Sequence, residues 1–167
     1  MDDMKRMADT QAAPLLEKLK SDPSNSDVLA QIAATYHAAH QFQQAAVYYG
    51  RAVDAAPKSV DLRTKLAASL YRGGDADHAI AQLNKALAMD PKNANALFDL
   101  GMIRLEGKQD GNGAVAAWQR LLRTNPQLSA ERKAQVQRLL ADELTTLGYQ
   151  QSAREAQRHD ADKTVSK

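Results

Sequence analysis

Four prolines set the frame of this chain. Pro23, Pro57 and Pro91 stand 34 residues apart, and Pro126 follows at 35. Three of them close similar phrases: Ser21-Asp22-Pro23, Met89-Asp90-Pro91 and Thr124-Asn125-Pro126. A fixed period of this length means a repeat array, in which each unit buries its apolar face only by stacking on its neighbours. That constraint governs how every shorter motif is read.

Alignment on the prolines brings further columns into line. Ala45, Ala79 and Ala114 share one, Tyr49, Leu83 and Trp118 a second, and Ala52, Ala86 and Leu121 a third. Upstream, Ala33, Ala67 and Gly101 form a small-residue column, with Tyr36 and Leu70 three residues later. Small residues at these spacings let two helices approach closely, and the larger ones fill the next layer.

These columns resemble the tetratricopeptide repeat, a 34-residue helix-turn-helix unit with small residues at the helix crossing, an aromatic in the second helix and a closing proline. The likeness covers about residues 26–126. It departs from the family pattern where Leu29, Arg63 and Leu97 hold the early Trp column and where Arg104 replaces a Tyr. The resemblance implies an all-α, right-handed α-solenoid of three repeats with N- and C-terminal capping helices.

Composition agrees. Aromatics make up 5% of the 167 residues, the 22 basic and 20 acidic side chains nearly balance at +2, and no basic stripe forms, so nucleic acid is not an expected partner. The absence of cysteine removes disulfides, thiolate metal sites and cysteine nucleophiles. No apolar run has the length of a membrane span, and Met1–Thr10 lacks a signal peptide's apolar core. Its abrupt, charged start suits the excised part of a longer protein.

Taken in order, residues 1–9 are expected to be a flexible N-terminus and 10–25 a capping helix started by Thr10. The repeats are 26–59, 60–93 and 94–128. Their helix pairs are predicted at about 26–39 and 42–55, 60–72 and 76–89, and 94–106 and 112–124. Ser26-Asp27 supplies capping oxygens, Gly73-Gly74 ends a helix, and the extra residue of the third repeat falls in the inter-helix turn Gly107–Gly113. Capping helices fill 129–159, with a break at Gly148-Tyr149, and 160–167 is a disordered tail.

Candidate chemistry is sparse. His37 and His40 lie one helical turn apart but lack further ligands, so no metal is expected. Asp110-Gly111-Asn112-Gly113 lacks the acidic alternation and closing Glu of a calcium loop, and Gly107-Lys108 lacks the following Ser or Thr of a phosphate loop. No serine, histidine and acid combination suggests a triad. No catalytic residue and no cofactor are predicted, and the chain reads as a non-enzyme.

The resemblance places the first helix of each repeat on a concave, peptide-binding face. The residues it puts there are Ala30, Ala34 and His37; Thr64, Ala68, Tyr71 and Arg72; and Phe98, Met102 and Leu105. The Lys and Asn pairs with which some family members clamp a terminal carboxylate are missing, so an apolar or amphipathic segment is the expected protein or peptide partner. Phe98, Met102 and Leu105 could equally pack beneath the chain's own C-terminal helix.

In the third repeat, Gly113-Ala114-Val115-Ala116-Ala117-Trp118-Gln119-Arg120-Leu121-Leu122 and Thr124-Asn125-Pro126 resemble the tetratricopeptide subunits of bacterial cytochrome c maturation machinery. That resemblance implies a periplasmic or membrane-anchored setting facing the periplasm, and an apocytochrome as partner. A cytoplasmic setting is the alternative. The functional expectation is a protein-interaction scaffold. A self-assembling homo-oligomer, with a terminal helix in a neighbour's groove, is the other reading.

Overall fold

The computed structural model describes the backbone of residues 2–165 and the side chains of 3–148, 150 and 151. Among the described residues eight α-helices follow one another: α1 Asp2–Ser21, α2 Ser26–Ala38, α3 Phe42–Ala55, α4 Val60–Arg72, α5 Ala76–Met89, α6 Ala94–Met102, α7 Gly111–Thr124 and α8 Ala130–Val165. A π-helical segment, Ile103–Gly107, extends α6. Each helix packs on the next in sequence, which makes an α-solenoid of helical hairpins α2–α3, α4–α5 and α6–α7 between α1 and α8.

The repeat columns are packing positions. Ala45, Ala79 and Ala114 are wholly buried, as are Ala33, Ala67, Ala52 and Ala86, while Leu83, Trp118 and Leu121 fill the layers between them. Gly101 is glycine for a local reason: a Cβ there would stand 2.2 Å from Trp118 Nε1. The polar columns repeat too. Asn25, Ser59 and Asn93 accept from the backbone N–H groups of Val28, Leu62 and Ala96 and so cap the first helix of each hairpin. Thus the cap of α2 is Asn25, one residue before the expected Ser26-Asp27.

Basic side chains tie the units together through the closing prolines. The carbonyl of Pro23 accepts from Arg51, Pro57 from Arg63, Pro91 from Arg120 and Pro126 from Lys133. Arg63, in the column where the family has Trp, also donates to Gln82 Oε1 at 3.0 Å. Proline carbonyls near a helix end lack an intrahelical donor, and the cation supplies one.

Several expectations are corrected. Residues 2–9 are helical rather than flexible, because Ala8 and Ala12 bury themselves within the first core and Asp9 accepts from Tyr36 Oη at 2.9 Å. Thr10 is therefore mid-helix, its hydroxyl donating to Arg6 O, and Pro14 lies inside α1 on an exposed face. The helix stops at Ser21 and leaves 22–25 as a turn.

The extra residue of the third repeat also lies elsewhere. The turn bonds Gln41 N–H to Tyr36 O and Asp75 N–H to Leu70 O become Asp110 N–H to Arg104 O. The insertion is taken up before the turn, by the π-helical segment, and Gly111–Gly113 opens α7. The three hairpins thereby keep equivalent turns, each with one left-handed residue: His40, Gly74 and Gln109.

At the C-terminus α8 runs unbroken through Gly148 to Val165. No proline interrupts 148–165, and Ala, Gln, Glu and Arg fill much of it. The predicted break and short final helix are therefore one helix, and residues 160–165 of the expected tail belong to it. Residues 166–167 lie outside the described residues.

Two apolar clusters form the core. Among the described residues one joins α1, α2, α3 and Leu62 and Leu66 of α4; the other joins Val60, Ala67 and Tyr71 of α4 with α5, α6, α7 and Val136 of α8. Among the described residues Leu70 packs against both.

Candidate functional site

The helices α2, α4 and α6 present the residues expected on the concave face. On α2, Ala34 is exposed and Ala30 and His37 are half-buried. His37 sits 2.9 Å from Ser69 Oγ across the repeat junction, with its ring edge-on to Phe42 at 5.2 Å. Ser69, itself fully buried, donates its hydroxyl proton to Lys65 O. His37 Nδ1 is therefore the donor in this pair, which leaves Nε2 as an acceptor. Burial first, then the charges of Arg72 and His40, hold the His37 pKa below its usual value.

On α4, Thr64 and Ala68 are half-buried, and the Thr64 hydroxyl donates to Val60 O. Tyr71 donates to Glu106 Oε2 at 2.9 Å, and burial with that carboxylate raises its pKa. Arg72 is exposed, with its guanidinium 5.8 Å from the centroid of the Phe42 ring.

On α6 and its extension, Phe98, Met102 and Leu105 are half-buried and pack against the second cluster. Arg132 of α8 covers Phe98, its guanidinium 3.9 Å from the ring centroid. The C-terminal helix thus lies over one end of the face.

Between α4 and α6 the face deepens into a pocket of ≈ 290 Å³. Thr64 and Ala68 line it with Asp61, Lys65, Asn93, Asn95 and Asp99. Sequence reasoning named the first two and missed the rest. Their signal was present in the period: Asp61 and Asn95 share one column, and Lys65 and Asp99 another. Lys65 is paired with Asp61 at 2.7 Å. Asp99 is half-buried, and burial raises its pKa against the opposing pull of Arg132 and Arg72.

His40 leans on Phe42, and His78 pairs with Asp75. Among the described residues no three His, Cys, Asp or Glu side chains converge as a metal site, and no helix is long and apolar enough to cross a membrane. Arg104, the other departure from the repeat pattern, pairs with Asp110 at 3.1 Å, while Asp110 caps α7 through Gly113 N–H.

A sequence model of the TPR repeat family matches residues 69–106, spanning the end of α4 through the π-helical segment. No curated protein matches the chain in sequence. The fold is similar to that of MamA, at 17% identity and a TM-score of 0.67, over 89% of this chain and 93% of that one. It is also similar to the Sgt2 TPR domain from Aspergillus fumigatus, at 22% identity and a TM-score of 0.63, over 80% and 82% of the two chains. The first TPR of Spaghetti (RPAP3), solved bound to HSP90 peptide SRMEEVD, matches at 22% identity and a TM-score of 0.60, over 72% and 96%. The chain has the all-α, TPR-like solenoid fold.

Proposed function

We infer that this chain is a non-catalytic scaffold that holds an extended or helical segment of a partner protein in the concave face of α2, α4 and α6. The observation that carries the reading is the open face itself, with small Ala34 and Ala68 at its floor and a pocket of ≈ 290 Å³ between α4 and α6. Small floor residues leave room for a backbone, and flanking side chains select what it carries. The RPAP3 domain, which shares the fold, has been seen with a peptide bound.

The test is capture of short unstructured peptides on an array by the wild-type chain and by an Ala34→Arg, Ala68→Arg double variant, both matched for helicity by circular dichroism. The variant fills the floor, so loss of captured peptides supports the groove. Equal capture moves binding elsewhere.

The narrower apocytochrome reading rests on the phrase around Trp118. That residue is wholly buried and spends its indole against Gly101, so core packing accounts for its presence. If the narrower reading holds, apocytochrome segments stand out among the captured peptides and the protein fractionates with the periplasm. Self-assembly is favoured by one observation: α8 continues from Leu147, beside Gly111 at the start of α7, on to Val165. Sedimentation that shifts with concentration would support it.

A further inference from the structure

The pocket between α4 and α6 has an uneven charge balance. Asp61 is neutralised by Lys65 at 2.7 Å. Asn93 is engaged as the cap of α6, its Oδ1 accepting from Ala96 N–H and its Nδ2 donating to Asp90. Asp99 differs. Among the described residues no donor is hydrogen-bonded to its carboxylate, although the side chain is half-buried in the pocket wall. A carboxylate taken part-way out of water and left without donors is costly to keep, and the nearest remedy is a cation that brings its own N–H groups.

The chain already places one cation at this end. Arg132 lies over Phe98, adjacent to Asp99, and favours the ionised carboxylate from a distance without bonding to it. Arg72 acts similarly. Neither occupies the pocket, whose lining contains Asp99, Asn95, Asn93 and Thr64 but no cation other than the paired Lys65. With Asp61 and Lys65 paired, an acidic side chain would meet the unpaired charge of Asp99 there.

We propose that this pocket is the specificity element of the groove and takes a lysine or arginine side chain of the bound peptide, which donates to Asp99 while Asn95 and Thr64 offer further acceptors. The inference rests on the groove reading. It commits to a basic residue in the partner at the position that meets the pocket.

The experiment uses arrayed peptides that differ at one central position, carrying Arg, Lys, citrulline or Glu. They are probed with the full chain, with Asp99→Asn, with Asn95→Arg and with the Ala34→Arg, Ala68→Arg variant. Citrulline keeps the shape of arginine without its charge. The expected result is that Arg and Lys peptides are held about tenfold more tightly than citrulline ones, about 1.4 kcal/mol, because only they donate charge-assisted bonds to Asp99. Asp99→Asn should erase that ratio with an equal or higher Tm, because it removes an unbonded, partly buried charge. Asn95→Arg, made at an exposed site, should lower the ratio by placing a rival cation at the rim.

Equal binding of Arg and citrulline peptides, with all binding still lost in the Ala34→Arg, Ala68→Arg variant, would overturn the pocket and leave the groove standing. Binding indifferent to that double variant would overturn both.

Discussion

At Gly101 an added methyl would stand 2.2–2.6 Å from three atoms of the Trp118 indole, all within a layer that has no exposure to water. The indole cannot retreat without pushing on Ala114 and Leu121, so Gly101→Ala is expected to cost about 1–3 kcal/mol by overpacking. Gly50, on α3, meets nothing within 4 Å, and Gly50→Ala should be neutral or stabilise by up to about 1 kcal/mol through helix propensity. Urea unfolding of the two variants beside wild type separates the effects, and a shift of equal sign in both would contradict this packing. A second residue-scale expectation concerns His37. Its folded pKa lies below its unfolded value, so the fold prefers the neutral ring. Its contribution is complete above about pH 6.5 and is lost as pH falls through the folded value. Tm measured from pH 7.5 downwards should decline less in His37→Gln than in wild type.

Among the elements, α1 shows most clearly how tertiary contacts override local signals. A long-range side-chain hydrogen bond runs from Tyr36 Oη to its Asp9, and the Tyr36 ring stacks on Tyr48 at 5.7 Å. Tyr36→Phe should loosen the first turns of α1 and cost about 0.5–1.5 kcal/mol, read as faster amide exchange in 2–12 than in 26–38. Burial first, then Asp9, raises the Tyr36 pKa to about 12. The phenol's contribution is therefore whole below pH 10 and is lost as pH rises towards 12, and alkaline titration of α1 exchange checks the sign.

The hairpin helices were legible because three aligned copies reinforce each boundary: α3, α4 and α5 span 42–55, 60–72 and 76–89, as the period predicts. The ends of the chain were not, because α1 and α8 have no second copy to align with. The polar start of α1 hides Ala8 and Ala12, two small residues whose burial depends on a neighbour 34 residues wide in pattern but not in their own sequence. The π-helical segment escaped for another reason. A period locates an extra residue only between the last and first matching columns, and Arg104 to Asp110 lies wholly within that gap. In the groove, the small and apolar positions stood out by column, whereas Asp99 reads as one more solvated acid until its helix is seated beside α4.

For the molecule as a whole, α8 closes the array. Val136 is wholly buried in the second cluster, and Leu147 reaches the start of α7 beside Gly111. A chain cut after Gln127 should expose that face, lower Tm and associate on heating, whereas a cut after Gln151 should leave Tm nearly unchanged. Light scattering during thermal unfolding distinguishes them. The two apolar clusters carry a mechanical consequence. They meet within α4, where Leu70 touches both, so a load applied to the two ends of the chain is resisted by two bodies joined through a single helix. The rupture point is built into α4: once it yields, the α4–α6 pocket, which draws residues from both sides of the junction, comes apart and the two halves respond to force separately.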